Sequence, residues 1–501
     1  MVFPARGCRT CVQRRIKCDS LQPICSKCQK SNRECVWNPN DFAGFHFKSE
    51  NAFAQGKARR PRGSQANKPI SLGVTKQSPQ VAITVPVAEH ALQYWASSYL
   101  SRAEDLIEAA HEWQAHVIPY WTTAKPGSCL HLAVSTLSQA TFSRAQNIPH
   151  ALAKADKSYL QCLARTQQAV CGQANETMDA LLLTTIMMGY FENIRYSVDA
   201  SKTAVRQDDA VGSRFTNVFC HYEGAVGLMK VRRERADKSN LTLDRVVRRQ
   251  IVRASILRGQ TVPDWLQHGE QFGETGPALQ IDSFMVRTAA FRSRTLAFFS
   301  KDTSALPTSV PDLEHLAHTG KELENDLVDW MHSVPEEWEA GRSATLDNTP
   351  EEFGDLMTYH EASNSYASHG HASIWLRQRA LRLIINSIFI KFVAMRMQSS
   401  TDHEHLIWKR NRMRANLESI SAEMCRDVPF FFNAGKQDVN GESVIPPKLA
   451  GLLAWPLAVA VSTENVPEPQ RQWLQQRLRT VAKSLGDSVL GAVADRGEFK
   501  F

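Results

Sequence analysis

Six of the chain's eleven cysteines fall in 28 positions, "CRTCVQRRIKCDSLQPICSKCQKSNREC" from Cys8 to Cys35. The spacing C-x2-C-x6-C-x6-C-x2-C-x6-C is one C-x2-C-x6-C block written twice, with six residues between the copies. The start, MVFPARGCRT, has no apolar leader, and the longest apolar run, Leu449 to Val461, is interrupted by Pro456. That run reads as a buried helix pair or turn, and the chain reads as soluble and intracellular, with no membrane partner. In a reducing compartment a dense, regular thiol set binds metal and does not form a disulfide framework. A copper thiolate cluster would suit the ligands but not the basic residues between them, and a redox C-x-x-C would want a βαβ pattern that is missing.

Ligand counting narrows the site. A tetrahedral zinc takes four ligands, so six thiolates can serve two zinc ions only if two sulfurs bridge. The symmetry of the repeat selects the first cysteine of each block. One ion would see Cys8, Cys11, Cys18 and Cys25, and the other Cys25, Cys28, Cys35 and Cys8. A segment this short cannot bury enough apolar surface to fold alone, whereas structural zinc supplies on the order of 10–16 kcal/mol. Each C-x-x-C should start a short helix, at Arg9–Arg15 and Ser26–Ser31.

Charge is placed unevenly. Residues 1–69 hold fourteen Lys or Arg against four Asp or Glu, while the whole chain is only +8, so the remainder is slightly acidic. Basic arms of this kind meet polyanions. Between Arg6 and Arg33, with two zincs and six thiolates included, the module keeps a net charge of about +4, enough for salt-sensitive binding to any duplex.

The six cysteine positions, the basic run Arg14-Arg15-Ile16-Lys17 before Cys18, and Pro23 in the joining loop resemble the fungal binuclear zinc cluster family of transcription regulators. The resemblance implies two zinc ions on Cys8, Cys11, Cys18, Cys25, Cys28 and Cys35, and a first helix that enters the major groove at a CGG-type triplet. It implies base contacts from Arg14 and Arg15 and a backbone contact from Lys17, with Arg9 and Lys27 among the basic groups that hold phosphates. Arginine can take guanine O6 and N7 bidentately, worth about 1–3 kcal/mol; the blander alternative is that Arg14 and Arg15 touch only phosphates.

Residues 39–87 carry nine Pro or Gly and no apolar heptads, so they read as a flexible basic linker without the coiled coil many relatives place there. The protein then either binds as a monomer or forms a homodimer through its large domain. "KARRPRGSQANK" (Lys57–Lys68) reads as a nuclear-localisation signal or a further phosphate clamp.

From about Ala88 the pattern turns helical. Tyr94 to Trp113 predicts one amphipathic helix ending near Pro119. "DALLLTTIMMGYFENI" predicts a buried helix, and "SFMVRTAAFRSRTLAFF" and "ASIWLRQRALRLIINSIFIKFVAMRM" predict two more. The first of these three, with "HYEGAVGLMKVR" and "VPDWL", resembles the fungal transcription factor regulatory domain, which implies effector sensing or contact with transcription machinery. The five other cysteines, Cys129, Cys162, Cys171, Cys220 and Cys425, read as buried small hydrophobes.

Nothing in the sequence carries catalysis. "HEWQAH" spaces its histidines five apart, off one helical face, and His369 and His371 read as an ordinary surface loop. An acidic, aromatic stretch from Glu322 to Asp355 suits an activation segment, but a solvated helix face with its loop is the simpler reading.

The sequence therefore predicts a mostly α protein in three parts. These are a binuclear zinc cluster (1–38), a largely disordered basic linker (39–87) and an all-helical regulatory domain (88–501). The expected function is zinc-dependent, sequence-specific regulation of RNA polymerase II transcription in the nucleus, on double-stranded DNA, pathway-specific and not enzymatic. A zinc-module scaffold for protein interactions is the alternative.

Overall fold

A computed structural model of the 501-residue chain describes residues 8–14, 16–19, 21, 23–36, 86–100, 112–173, 175–196, 216–235, 240–300, 310–343, 363–399, 403–432 and 445–497. The linker segment 39–85, with the basic run at 57–68, lies outside them. Contacts divide the chain into two units, Met1–Ala82 and Ile83–Phe501.

The first unit contains two short helices, α1 (Arg9–Gln13) and α2 (Ser26–Lys30). Both predicted helices are present, the first ending two residues early.

The second unit is helical, from α3 (Val87–Trp95) to α17 (Ser488–Arg496). Its one sheet among the described residues is the pair β1 (Gly341–Ser343) and β2 (Ser363–Ser365). Ser128 caps α5 (Cys129–Gln146) through the amide of His131, and left-handed Asn147 ends it. Pro149 then opens α6 (Pro149–Val170), which packs back on α5. Thr177 caps α7 (Met178–Arg195), the predicted buried helix, whose Leu182, Leu183, Ile186 and Phe191 reach the core. Helix α8 (Thr216–Arg235) packs on α7. Later come α10 (Gly276–Phe299), α11 (Val310–Ser333), α12 (His369–Ser399) and α13 (His403–Asp427). The chain closes on itself at α17, where Asn193 Nδ2 donates to Asp487 Oδ2 at 2.9 Å and Ser488 Oγ to the Ile194 carbonyl at 3.0 Å.

Helix α9 (Leu241–Arg258) is buried although it is rich in arginine. Arg248 is fully buried and forks onto Asp282 at 2.6 and 2.8 Å. Its Nε donates to the Leu266 carbonyl at 2.6 Å. Arg249 forks onto Glu274 at 2.6 and 2.7 Å. Bidentate geometry of this kind offsets the desolvation of both charges.

Four expectations need correcting. The helix predicted from Tyr94 to near Pro119 is not one helix. After α3 comes a π turn (Ala96–Leu100), and the chain restarts as a 3-10 turn at Trp113–His116 and α4 (Val117–Trp121). Residues 101–111 lie outside the described set; Glu112, which follows them, is extended, and its carboxylate accepts from Arg253 at 2.8 and 3.0 Å and from Gln250 at 2.6 Å. The apolar run around Pro456 is a single helix, α15 (Pro447–Ser462), most of whose side chains are buried. His369 and His371 do not form a surface loop: they open α12, where His371 Nδ1 meets Ser368 Oγ at 2.8 Å and its ring stands against Trp338. Cys129, Cys162 and Cys425 are buried as expected, but Cys171 and Cys220 are exposed, because one ends α6 and the other sits on the outer face of α8.

In the acidic stretch, residues 344–362 lie outside the described set. The described part is structural: Glu324 receives Arg382 at 2.8 Å, and Trp330 is buried. No helix among the described residues is long and apolar enough to cross a membrane.

Candidate metal centre

The 17-residue offset between the two blocks is visible in three dimensions as paired contacts. The Cys11 amide donates to Cys8 Sγ at 3.4 Å, and the Cys28 amide to Cys25 Sγ at 3.4 Å. The Cys8 amide donates to Cys18 Sγ at 3.5 Å, and the Cys25 amide to Cys35 Sγ at 3.4 Å. Across the halves, Cys8 Sγ lies 3.6 Å from Cys28 Sγ, and Cys11 Sγ lies 3.6 Å from Cys25 Sγ. Each x-x of a C-x-x-C is the first turn of its helix, so the second cysteine's amide points back at the first cysteine's sulfur.

Two sets of four sulfurs gather within 4.8 Å of one another: Cys8, Cys11, Cys18 and Cys25, and Cys8, Cys25, Cys28 and Cys35. Cys8 and Cys25 belong to both sets, 3.7 Å apart. Sulfurs about 2.3 Å from one tetrahedral zinc stand about 3.8 Å from each other, so the donor set fits that ion. The same spacings are far from the roughly 2.05 Å of an S–S bond, and none of the six cysteines is in a disulfide.

Among the described residues the unit has no other core. Its buried side chains among the described residues are Cys8, Cys11, Cys25 and Cys28, with Cys18 and Cys35 packed against them. Ile16, Leu21, Ile24 and Val36 stay exposed. Crowding divides the thiols by position in the block. Burial raises Cys25, but the Cys28 amide and the neighbouring sulfurs outweigh it and bring it down to about 6. Cys8, its twin, is lowered against the same burial penalty, chiefly by the Cys11 amide. Cys28 is pushed up to about 12 by burial and its neighbours, and Cys11 is raised likewise.

Arg14, Lys17 and Lys27 are exposed, with Arg14 just past the end of α1 and Lys27 on α2. Arg9 opens α1, but its side chain lies outside the described residues, as does Arg15 entirely.

Two residues absent from the sequence reading fasten the halves together. Thr10 Oγ1 donates to the Glu34 carbonyl at 2.8 Å and accepts from the Val36 amide at 3.4 Å. Asp19 accepts from the Ser26 amide at 3.2 and 3.3 Å, placing a carboxylate at the start of α2. The sequence signal for Asp19 was its place in the joining loop, seven residues before that amide; Thr10 gives none.

Residues 6–42 match the family model described as the fungal Zn(2)-Cys(6) binuclear cluster domain, which binds two zinc ions. The chain is 30% identical over 83 residues to the sorbicillinoid biosynthetic cluster transcription factor of Hypocrea jecorina. It is 57% identical over 37 residues to the transcriptional regulatory protein moc3 of Schizosaccharomyces pombe. It is 66% identical over 29 residues to adhesion and hyphal regulator 1 of Candida albicans. These matches cover 17%, 7% and 6% of this chain, and 12%, 7% and 5% of the respective relatives. No solved structure matches the chain.

Proposed function

We propose that this chain, which carries a fungal Zn(2)-Cys(6) binuclear cluster domain near its start, is a zinc-dependent, sequence-specific regulator of RNA polymerase II transcription. The observation that carries the reading is the pair of four-sulfur sets sharing Cys8 and Cys25. Cys8, Cys11, Cys18 and Cys25 would hold one zinc, and Cys8, Cys25, Cys28 and Cys35 the other. The metal would supply rigidity to a unit whose core, among the described residues, is sulfur. The family match and the names of the relatives, transcription factors and regulators, support the rest.

With the cluster rigid, α1 becomes the reading element. Arg14 and Arg15 take guanine edges of a CGG-like triplet, and Arg9, Lys17 and Lys27 hold phosphates. The exposure of Arg14, Lys17 and Lys27 suits those roles. The protein works in the nucleus, and its helical body contacts the transcription machinery and provides any homodimer contact. The name of the Hypocrea relative supports a pathway-specific role over a metabolic gene set.

The test is zinc counting and selection from random duplex DNA with the full-length protein. Two zincs per chain and enrichment of CGG-like triplets are expected. Arg15→Ala should erase the enrichment at a cost of about 1–3 kcal/mol, while Lys27→Ala should weaken all duplexes alike and flatten the salt dependence by about one phosphate. Two zincs with no enriched sequence would instead assign the module to a protein partner.

A further inference from the structure

The helical body contains a cavity of about 130 Å³ between α7, α8, α9, α15 and α17. Its walls are aromatic, from Tyr190, Phe219, Tyr222 and Trp455. Burial, first among the causes, holds the Tyr190 and Tyr222 phenols well above their ordinary titration range, so both walls are neutral.

Charged groups at its edge are already committed. Arg253 is held by Glu112, whose carboxylate also takes Gln250. Asp487 accepts from Asn193 Nδ2 at 2.9 Å and from the Leu490 amide at 2.9 Å. Three buried polar atoms of the lining have no partner: Trp455 Nε1, a donor, and Asn193 Oδ1 and Gln114 Oε1, both acceptors. Trp455 is only 8% exposed, so an indole N–H left unpaired there is costly and wants an acceptor. An apolar cavity of about 150 Å³ takes a benzene ring, whereas drug-sized ligands need about 300 Å³ or more.

From these observations we propose that the cavity is a binding site for a small, neutral hydroxyaryl carbonyl compound, a single ring whose carbonyl accepts from Trp455 Nε1 and whose hydroxyl donates to Asn193 Oδ1. Arg253, the one cation among the described lining residues, is already paired with Glu112, which disfavours an anion of the same size. Gly451 of α15 also lines the cavity, and a Cβ added there meets nothing within 4 Å. A Cβ at Gly451 is therefore tolerated at the cavity's edge, and a larger side chain there is the means of filling it. The site lies wholly within the helical body and stands independently of the DNA reading.

The experiment is calorimetric titration of the zinc-loaded full chain with 4-hydroxyacetophenone, and with 4-hydroxybenzoate as the anionic match. One equivalent of the ketone should bind. Trp455→Phe should weaken it about threefold to tenfold, the worth of one hydrogen bond. Gly451→Leu should weaken it by at least about tenfold at an unchanged or higher melting temperature, since glycine is a poor helix former. Should Gly451→Leu lower the melting temperature, Ala454→Leu fills the same space and is read instead. No ketone binding would leave the cavity to water and overturn the proposal. Binding indifferent to both filling variants would do the same, and so would benzoate binding as tightly as the ketone.

Discussion

Among the described residues of the cysteine unit the buried side chains are all cysteines, while in α9 one of the most deeply buried large side chains is an arginine. Both regions put groups that water would otherwise hold into the interior, and both need partners to do so. They differ in where those partners lie along the chain. Every sulfur of the cluster is within 28 positions of the others. Arg248 finds Asp282 at a separation of 34 residues, and Arg253 finds Glu112 at 141. Ligand sets encoded locally leave a spacing that can be read; charge pairs encoded at a distance leave only an Arg-rich helix that looks solvated.

The largest effect should come from breaking the local set. Cys25→Ser removes a sulfur from both groups of four, so zinc content should fall from two ions to less than one per chain. The loss is on the order of 10 kcal/mol of folding energy in that unit. Elemental analysis reads it, and the circular dichroism melt of the helical body should stay where it was. Zinc retained at two per chain would end the shared-ligand assignment.

Next is the distant pair. Arg248→Met strands the Asp282 carboxylate, whose pKa burial already raises, and should cost about 3–5 kcal/mol. Zinc content should not change. Adding Asp282→Leu should restore most of the loss, because two apolar groups need no partner. A thermal melt of the single variant matching the wild type would show that the pair is not what holds α9.

The smallest effect is protonic. Burial lowers the pKa of His221 below its ordinary value of 6.5, and its Nε2 meets the Tyr159 hydroxyl at 3.0 Å. The unfolded chain therefore takes up a proton first as pH falls, and stability is lost from about pH 6.5 downward. Urea melts should show lower stability at pH 5.5 than at pH 7.5, by no more than about 1.4 kcal/mol from this source. His221→Gln should narrow that difference; an unchanged difference would exclude His221 as its cause.

The all-helical body and its main buried helices were legible because long apolar stretches such as Leu181–Met188 leave no other outcome. Glu112 was not. A glutamate between two aromatic-rich turns reads as helix surface, whereas its carboxylate is held by Arg253, Gln250 and Arg377, all more than a hundred residues away. His371 was misread for the same cause, since Trp338, which covers its ring, is remote in sequence. In the metal centre the sulfurs declared themselves by interval, whereas Thr10 and Asp19 act through backbone amides and carbonyls, which no side-chain pattern reveals.

The duplicated contacts of the cysteine unit also set where its length can drift. Within each block the sulfur of the third cysteine meets the amide of the first, ten residues earlier. One inserted residue inside either block would rotate that sulfur off its amide and spoil the match between the halves. The joining segment, residues 19–24, occurs only once and has no twin to stay in step with. An insertion there would disturb the Asp19 contact with Ser26 and leave both blocks internally intact. Variation in length among chains built this way should therefore collect in the joining segment and be nearly absent on either side of it.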